Sequence, residues 1–213
     1  VAVSFFNGYG SELNIMRPGR PDWVTEELAY LGRTTKILRE NSTAFLSADW
    51  DPLLTTSADS IWVNKWPGKE KTVYTILSLI PEGYNGPLFE ARPAYGQHLV
   101  SLWHHEELDW AEKDGKYYVP VRTEAFNACD LDTRAEGNID CVAILPEYIN
   151  VFKSGNGLAV EATRGEEIRL WAGIPSYQNK MFKILPVGYH DINLREVFGK
   201  YEGKVVIQLF DKE

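Results

Sequence analysis

The stretch Lys113-Asp114-Gly115-Lys116-Tyr117-Tyr118-Val119-Pro120-Val121-Arg122-Thr123 decides the fold class. Tyr117, Val119 and Val121 recur at the period of two that places alternate side chains on one face of a strand. The Asp-Gly pair ahead of them resembles the turn of a hairpin. Working outward, short runs rich in β-branched and aromatic residues occur at 44–47, 60–66, 72–80, 88–91 and 98–104, and again at 140–145. Turns such as Pro67-Gly68-Lys69 and Gly83-Tyr84-Asn85-Gly86 separate them. Regularly spaced strands without intervening helices predict an antiparallel β-sandwich over residues 43–150 rather than a parallel α/β sheet.

Past Lys153-Ser154-Gly155-Asn156-Gly157 lie five further runs, 158–163, 167–171, 181–185, 190–194 and 204–210. They predict a second small sandwich over residues 151–213, Ig-like or carbohydrate-binding-like in size. Residues 1–42 read as strand, loop and helix. The apolar run from Val1 to Phe6 stops at Asn7-Gly8-Tyr9-Gly10, as a buried strand emptying into a loop does. After Arg17-Pro18-Gly19-Arg20-Pro21, Asp22 can cap a helix with Val24, Leu28, Leu31 and Leu38 on one stripe and Trp23, Tyr30 and Ile37 beside it. Glu26 and Glu27 near its start, and Lys36 and Arg39 near its end, suit the helix dipole. The predicted class is therefore mainly β, with antiparallel sandwiches and one N-terminal amphipathic helix.

Hydrophobic residues at 44% and charged residues at 24% of 213 lie in the globular range, which argues against disorder. A net charge of −8 and a pI near 5.1 disfavour nucleic acid, whose phosphates recruit clustered Lys and Arg. No apolar run approaches the roughly 20 residues of a membrane-spanning helix. The first residue is Val1 rather than Met, as in a processed or excised chain, and a secreted or cell-surface location is expected. Cys129 and Cys141 bracket a polar loop; outside the cytoplasm they would close a disulfide, and otherwise they are two unpaired thiols.

Several segments, in order and at plausible spacings over residues 4–145, carry a family resemblance. They are Phe5-Phe6-Asn7-Gly8, the basic Leu-rich end from Arg33 to Arg39, Phe45-Leu46-Ser47-Ala48-Asp49-Trp50-Asp51-Pro52, Ile61-Trp62-Val63-Asn64-Lys65-Trp66-Pro67, Thr72-Val73-Tyr74-Thr75-Ile76-Leu77, and Leu99-Val100-Ser101-Leu102-Trp103-His104 followed by Glu107-Leu108. Together they resemble the end of the (β/α)8 barrel and the following β-sandwich of glycoside-hydrolase-like proteins. The chain departs from that pattern at residues 10–16 and 126–140. The resemblance implies that Asn7, Tyr9 and Glu12 would face the catalytic end of a barrel whose other strands, and whose catalytic carboxylates, lie upstream of Val1. It implies a non-catalytic accessory region that buttresses a catalytic barrel and holds polysaccharide or oligosaccharide. The alternatives are part of an active glycoside hydrolase with its catalytic residues mostly upstream, and a protein-interaction or adhesion sandwich pairing through an edge strand such as 88–91.

Among individual residues, flat aromatics with polar neighbours fit sugar, since the C–H face of a sugar ring stacks on an aromatic face while amides, carboxylates and Arg bind hydroxyls. Trp103, Trp110, Trp171 and Tyr177, with Arg169, are the carbohydrate-binding candidates; the competing reading places large aromatics in the core. Asp49 and Asp51 flank Trp50, as an acid/base pair or as a turn before Pro52. In His104-His105-Glu106-Glu107 the two imidazoles would point to opposite faces of a strand, which disfavours a shared metal. Asp130, Asp132, Glu136 and Asp140 could bind calcium but lack the ligand alternation and glycine of an EF-hand loop. No metal or other cofactor is expected, and neither Gly-x-Ser-x-Gly nor a phosphate-cradling glycine loop occurs.

Overall fold

The computed structural model describes residues 1–11, 24–125, 137–155 and 157–211. These form two compact units, Val1–Pro146 and Glu147–Glu213. The chain is mainly β, with antiparallel sheets and few helices, as the alternation predicts.

The first unit opens with helices α1 (Ala2–Phe6), α2 (Val24–Glu40) and α3 (Ser42–Phe45). Two short strands expected here are helices instead. A brief apolar run does not distinguish strand from helix by period alone, and tertiary packing decides. In α1, Phe5 and Phe6 bury against the neighbouring sheet, and the helix ends where Gly8 takes φ +75°. The carbonyl of Phe6, orphaned at that end, accepts hydrogen bonds from Asn64 Nδ2 (3.0 Å) and Thr75 Oγ1 (2.7 Å). The 44–47 run likewise folds into α3 and its C-terminal turn, with Ala44 fully buried.

Helix α2 forms where its pattern predicts, but with its face turned. The buried stripe is Tyr30, Thr34, Ile37 and the following Asn41, spaced three or four apart, while Leu28, Leu31 and Leu38 are only half-buried. The side chains of Val24 and Glu26, together with Asp22 and Trp23, lie outside the described part. Lys71, from the turn that follows Pro67, donates to Asn41 Oδ1 (3.1 Å) and reaches the Glu40 carbonyl (3.4 Å), so it covers the C-terminal end of α2.

Strands β1 (Ile61–Pro67), β2 (Thr72–Ser78), β4 (Gln97–Ser101), β5 (Glu106–Leu108) and β8 (Ile139–Pro146) build a five-stranded antiparallel sheet in the order β1-β2-β8-β4-β5. Strands β3 (Tyr84–Glu90), β6 (Ala111–Lys113) and β7 (Lys116–Thr123) build a second sheet, β3-β7-β6. The β6–β7 turn is Asp114-Gly115, both at positive φ (54° and 72°), which is what a two-residue hairpin loop requires. Between the sheets pack Ile61, Val63, Ile76, Leu88, Phe89, Val119, Val121 and Val142. The opposite face of the five-stranded sheet is covered by the helices, through Phe5, Tyr30, Ile37, Trp66, Val73, Trp103 and Cys141. The unit thus has three layers, and the first six residues of β8 are all buried because both faces of that strand are covered.

In the second unit, β9 (Ile149–Ser154), β10 (Gly157–Ala162) and β13 (Tyr189–Ile192) pair as β13-β10-β9, while β11 (Glu167–Ala172), β12 (Phe182–Pro186) and β14 (Val205–Phe210) pair as β12-β11-β14; helix α4 (Leu194–Phe198) links β13 to β14. Val160, Ala162, Ile168, Leu170 and Ile192 form the core. Asn193 caps α4 by accepting from the Arg195 N–H (3.1 Å). The glycine-rich break at 153–157 is the β9–β10 hairpin, inside this unit rather than ahead of it.

Candidate functional site

The described residues expose a tryptophan on a rigid backing at the edge of the first unit. Residues 51–54 run along the outer edge of β1: Asp51 and Lys65 exchange two backbone hydrogen bonds of 2.9 Å, Leu54 N–H donates to the Val63 carbonyl (2.9 Å), and Leu53 N–H donates to Asn64 Oδ1 (3.0 Å). This register lays the Trp50 indole on that of Trp66, with ring centroids 5.0 Å apart and planes within 9°. Trp66 is buried and held by a relay, since its Nε1–H donates to Thr75 Oγ1 (2.9 Å), whose hydroxyl donates to the Phe6 carbonyl. Phe45 packs on Trp66 at 5.4 Å. A Cβ on Gly8 would stand 2.8 Å from the edge of Trp66, so glycine there is required by space as well as by its positive φ. Trp50 itself is 41% exposed, and both Asp49 and Asp51 are exposed beside it in sequence. A preorganised flat apolar face with adjacent carboxylates is chemically suited to a sugar ring.

The sequence candidates lie elsewhere. Trp103 is 0% exposed. Its ring meets Tyr30 edge-on at 5.4 Å and Phe5 at 6.1 Å, the Arg33 guanidinium lies 3.8 Å over it, and Arg33 also donates to the Trp103 carbonyl. A sugar cannot reach this ring, which corrects the surface role expected for it. Trp110 is half-buried at the rim of the inter-sheet core, edge-on to Tyr117 at 6.5 Å. Trp171 is buried, stacked at 4.6 Å on Phe182, its cross-strand partner. Arg169 pairs with Glu167 (Nε to Oε1, 2.6 Å) and lies 4.0 Å over the Phe210 ring. Tyr177 is exposed in the β11–β12 loop, which Asn179 organises by donating to the carbonyls of Ala172 and Ile174 (3.0 Å each). Trp103 and Trp110 thus belong to the first unit, and Trp171, Arg169 and Tyr177 to the second.

Asn7 terminates α1, its amide donating to the Val3 carbonyl at 2.9 Å, and Tyr9 is exposed just beyond it. With α1 a helix, neither residue follows a strand end, which corrects the barrel-strand reading; Glu12 lies outside the described residues. Cys141 carries a free, fully buried thiol pushed well above its ordinary range by burial and by the Asp140 charge. Cys129 lies outside the described residues, as do Asp130, Asp132 and Glu136 of the calcium reading. Among the described residues, no group of three metal-ligating side chains converges.

Ser101, His104 and Asp140 come together, but not as a nucleophilic triad. The Ser101 hydroxyl donates to Asp140 Oδ1 (3.0 Å) and also accepts from the His104 N–H (2.9 Å). Imidazole Nε2 faces the Arg122 carbonyl at 2.9 Å, so that nitrogen bears the proton, and it stands 3.7 Å from Asp140 Oδ2. Asp140 also accepts from the Arg122 and Cys141 N–H groups (3.0 and 2.7 Å). All three side chains are buried, and the Asp140 carboxyl is held above the ordinary carboxylate range by burial, only partly offset by His104 and these donors. Where a triad serine donates to its histidine, this one donates to the carboxylate; the group pins the turn after β4 to β7 and β8.

The chain matches no family model, and no curated protein is significantly similar to it.

Proposed function

We propose that this chain is a non-catalytic, carbohydrate-binding accessory region of a carbohydrate-active protein. The observation that carries the reading is the Trp50–Trp66 stack: an indole face open to solvent, backed by a second indole that a hydrogen-bond relay fixes. Aromatic faces held in advance of binding lose little freedom on meeting a ring, so even a small site gains affinity. The buried Ser101–His104–Asp140 group supports the non-catalytic half, because its hydroxyl and imidazole are committed to structural hydrogen bonds.

Titration of the chain with soluble xylan, mixed-linkage β-glucan, mannan and polygalacturonate, followed by calorimetry and affinity electrophoresis, tests the reading. Binding to at least one glycan that weakens about tenfold or more in Trp50→Ala is expected, the scale of a lost stacking contact. Absence of binding to every glycan refutes it.

A further inference from the structure

We propose that the outer face of the β13-β10-β9 sheet is a second glycan-binding surface, selective for neutral over acidic polysaccharides; the inference rests on the carbohydrate reading above. The register fixes which side chains share this face. Val160 is fully buried in the core of the second unit, so its strand neighbours Ala159 and Glu161 point the other way. Ala159 pairs with Phe152 on one side and Asp191 on the other, and Glu161 pairs with Asn150 and Tyr189. One face therefore presents two rows, Phe152-Ala159-Asp191 and Asn150-Glu161-Tyr189.

Phe152 is 57% and Tyr189 66% exposed, and Asn150, Glu161 and Asp191 are exposed with them. The two aromatics sit on the outer strands, one row apart, which by ordinary strand spacing separates their backbones by about 12 Å. That is too far for them to pack on each other, and it suits two separate rings of one extended sugar chain. A protein partner would favour a contiguous apolar patch. Here the aromatics are divided by an exposed amide and two exposed carboxylates, with the Ala159 methyl buried between Phe152 and Asp191, which is the mixture that pairs C–H faces with aromatic faces and hydroxyls with polar atoms. Glu161 and Asp191 supply negative charge, and no Lys or Arg stands among these six positions. Uronic-acid polymers would meet like charge there, and neutral chains would not.

The test compares the full chain with Phe152→Ala, Tyr189→Ala, the double variant and Trp50→Ala, using affinity electrophoresis and calorimetry on xylan, mixed-linkage β-glucan, mannan and polygalacturonate. Circular dichroism verifies that each variant is folded, as expected for exposed positions. Weakening of neutral-glycan binding by about tenfold in each single variant, and by more in the double variant, with polygalacturonate the weakest ligand throughout, supports the proposal. If the parent chain binds glycan and only Trp50→Ala weakens it, this inference falls and the carbohydrate reading stands. If the parent chain binds none of the four, both fall. A double variant that changes the sedimentation behaviour of the chain while leaving glycan binding intact also overturns the proposal, in favour of a protein contact.

Discussion

Trp103→Ala is expected to cost the first unit most of its stability without touching a ligand surface. The indole is 0% exposed and is contacted by Phe5, Tyr30 and Arg33, from two helices, while standing on the turn after β4. Burying a tryptophan removes on the order of 200 Å² from water, worth about 5 kcal/mol at 25 cal/mol per Å² as an upper bound. Measured large-to-alanine substitutions of buried aromatics cost about 3–5 kcal/mol, which agrees. Since domains are stable by only about 5–15 kcal/mol, the variant lies near the edge of folding. Trp103→Phe, which retains a ring beneath Arg33, should lose roughly half as much. Urea unfolding followed by far-UV circular dichroism reads the loss as a lowered midpoint, and the same variants are passed over the glycan panel. A Trp103→Ala protein less than about 1 kcal/mol weaker that has nevertheless lost glycan binding would refute the placement of this ring in the core.

Three further outcomes follow from the geometry. Asp140 has its folded-state carboxyl raised, so the stability it contributes is fully present below the unfolded carboxylate pKa and is lost as pH rises through the higher folded value. Asp140→Asn should flatten the pH dependence of the urea midpoint between those two values while costing about 1–3 kcal/mol, because an amide cannot accept from all the donors that Asp140 satisfies. Cys141 should resist iodoacetamide in the native protein and react on unfolding, read by peptide mass spectrometry; rapid native labelling would contradict its burial and raised thiol pKa. Gly157→Ala would place a Cβ 2.0 Å from the Ile192 carbonyl oxygen, so the second unit should lose about 2 kcal/mol or more, visible as a lowered melting midpoint.

Alternation made much of the sheet structure legible in the sequence. The Asp114-Gly115 turn and the Tyr117, Val119, Val121 alternation correspond to the β6–β7 hairpin, and the 140–145 run to β8. What pattern could not convey is which layer covers which face. The unbroken burial of Ile139 to Ile144 in β8, Asp140 included, arises because the helices close the far side of its sheet, a tertiary fact with no local sign. For the same reason α1 resembled a strand, and the buried face of α2 passes through Thr34 and Asn41 rather than along its leucines. Strand β9 has no clear sign in the sequence, because the residues after it are rich in glycine, which marks a hairpin as readily as a boundary. Tryptophan burial is the least legible feature of the sequence. Trp103 and Trp50 both have polar neighbours in sequence, and only the first is enclosed; the parallel partner of Trp50 is sixteen positions away, beyond any local signal.

The three-layer build of the first unit has a practical meaning for anyone trimming the chain. A shortened polypeptide starting at residue 43 would keep every strand yet uncover the side of the sheet that holds Trp66, Val73 and Cys141. It would also withdraw the Phe6 carbonyl that anchors Asn64 and Thr75. Such a product should precipitate or recruit chaperones, because the helices are the lid of this sandwich and not an appendage to it.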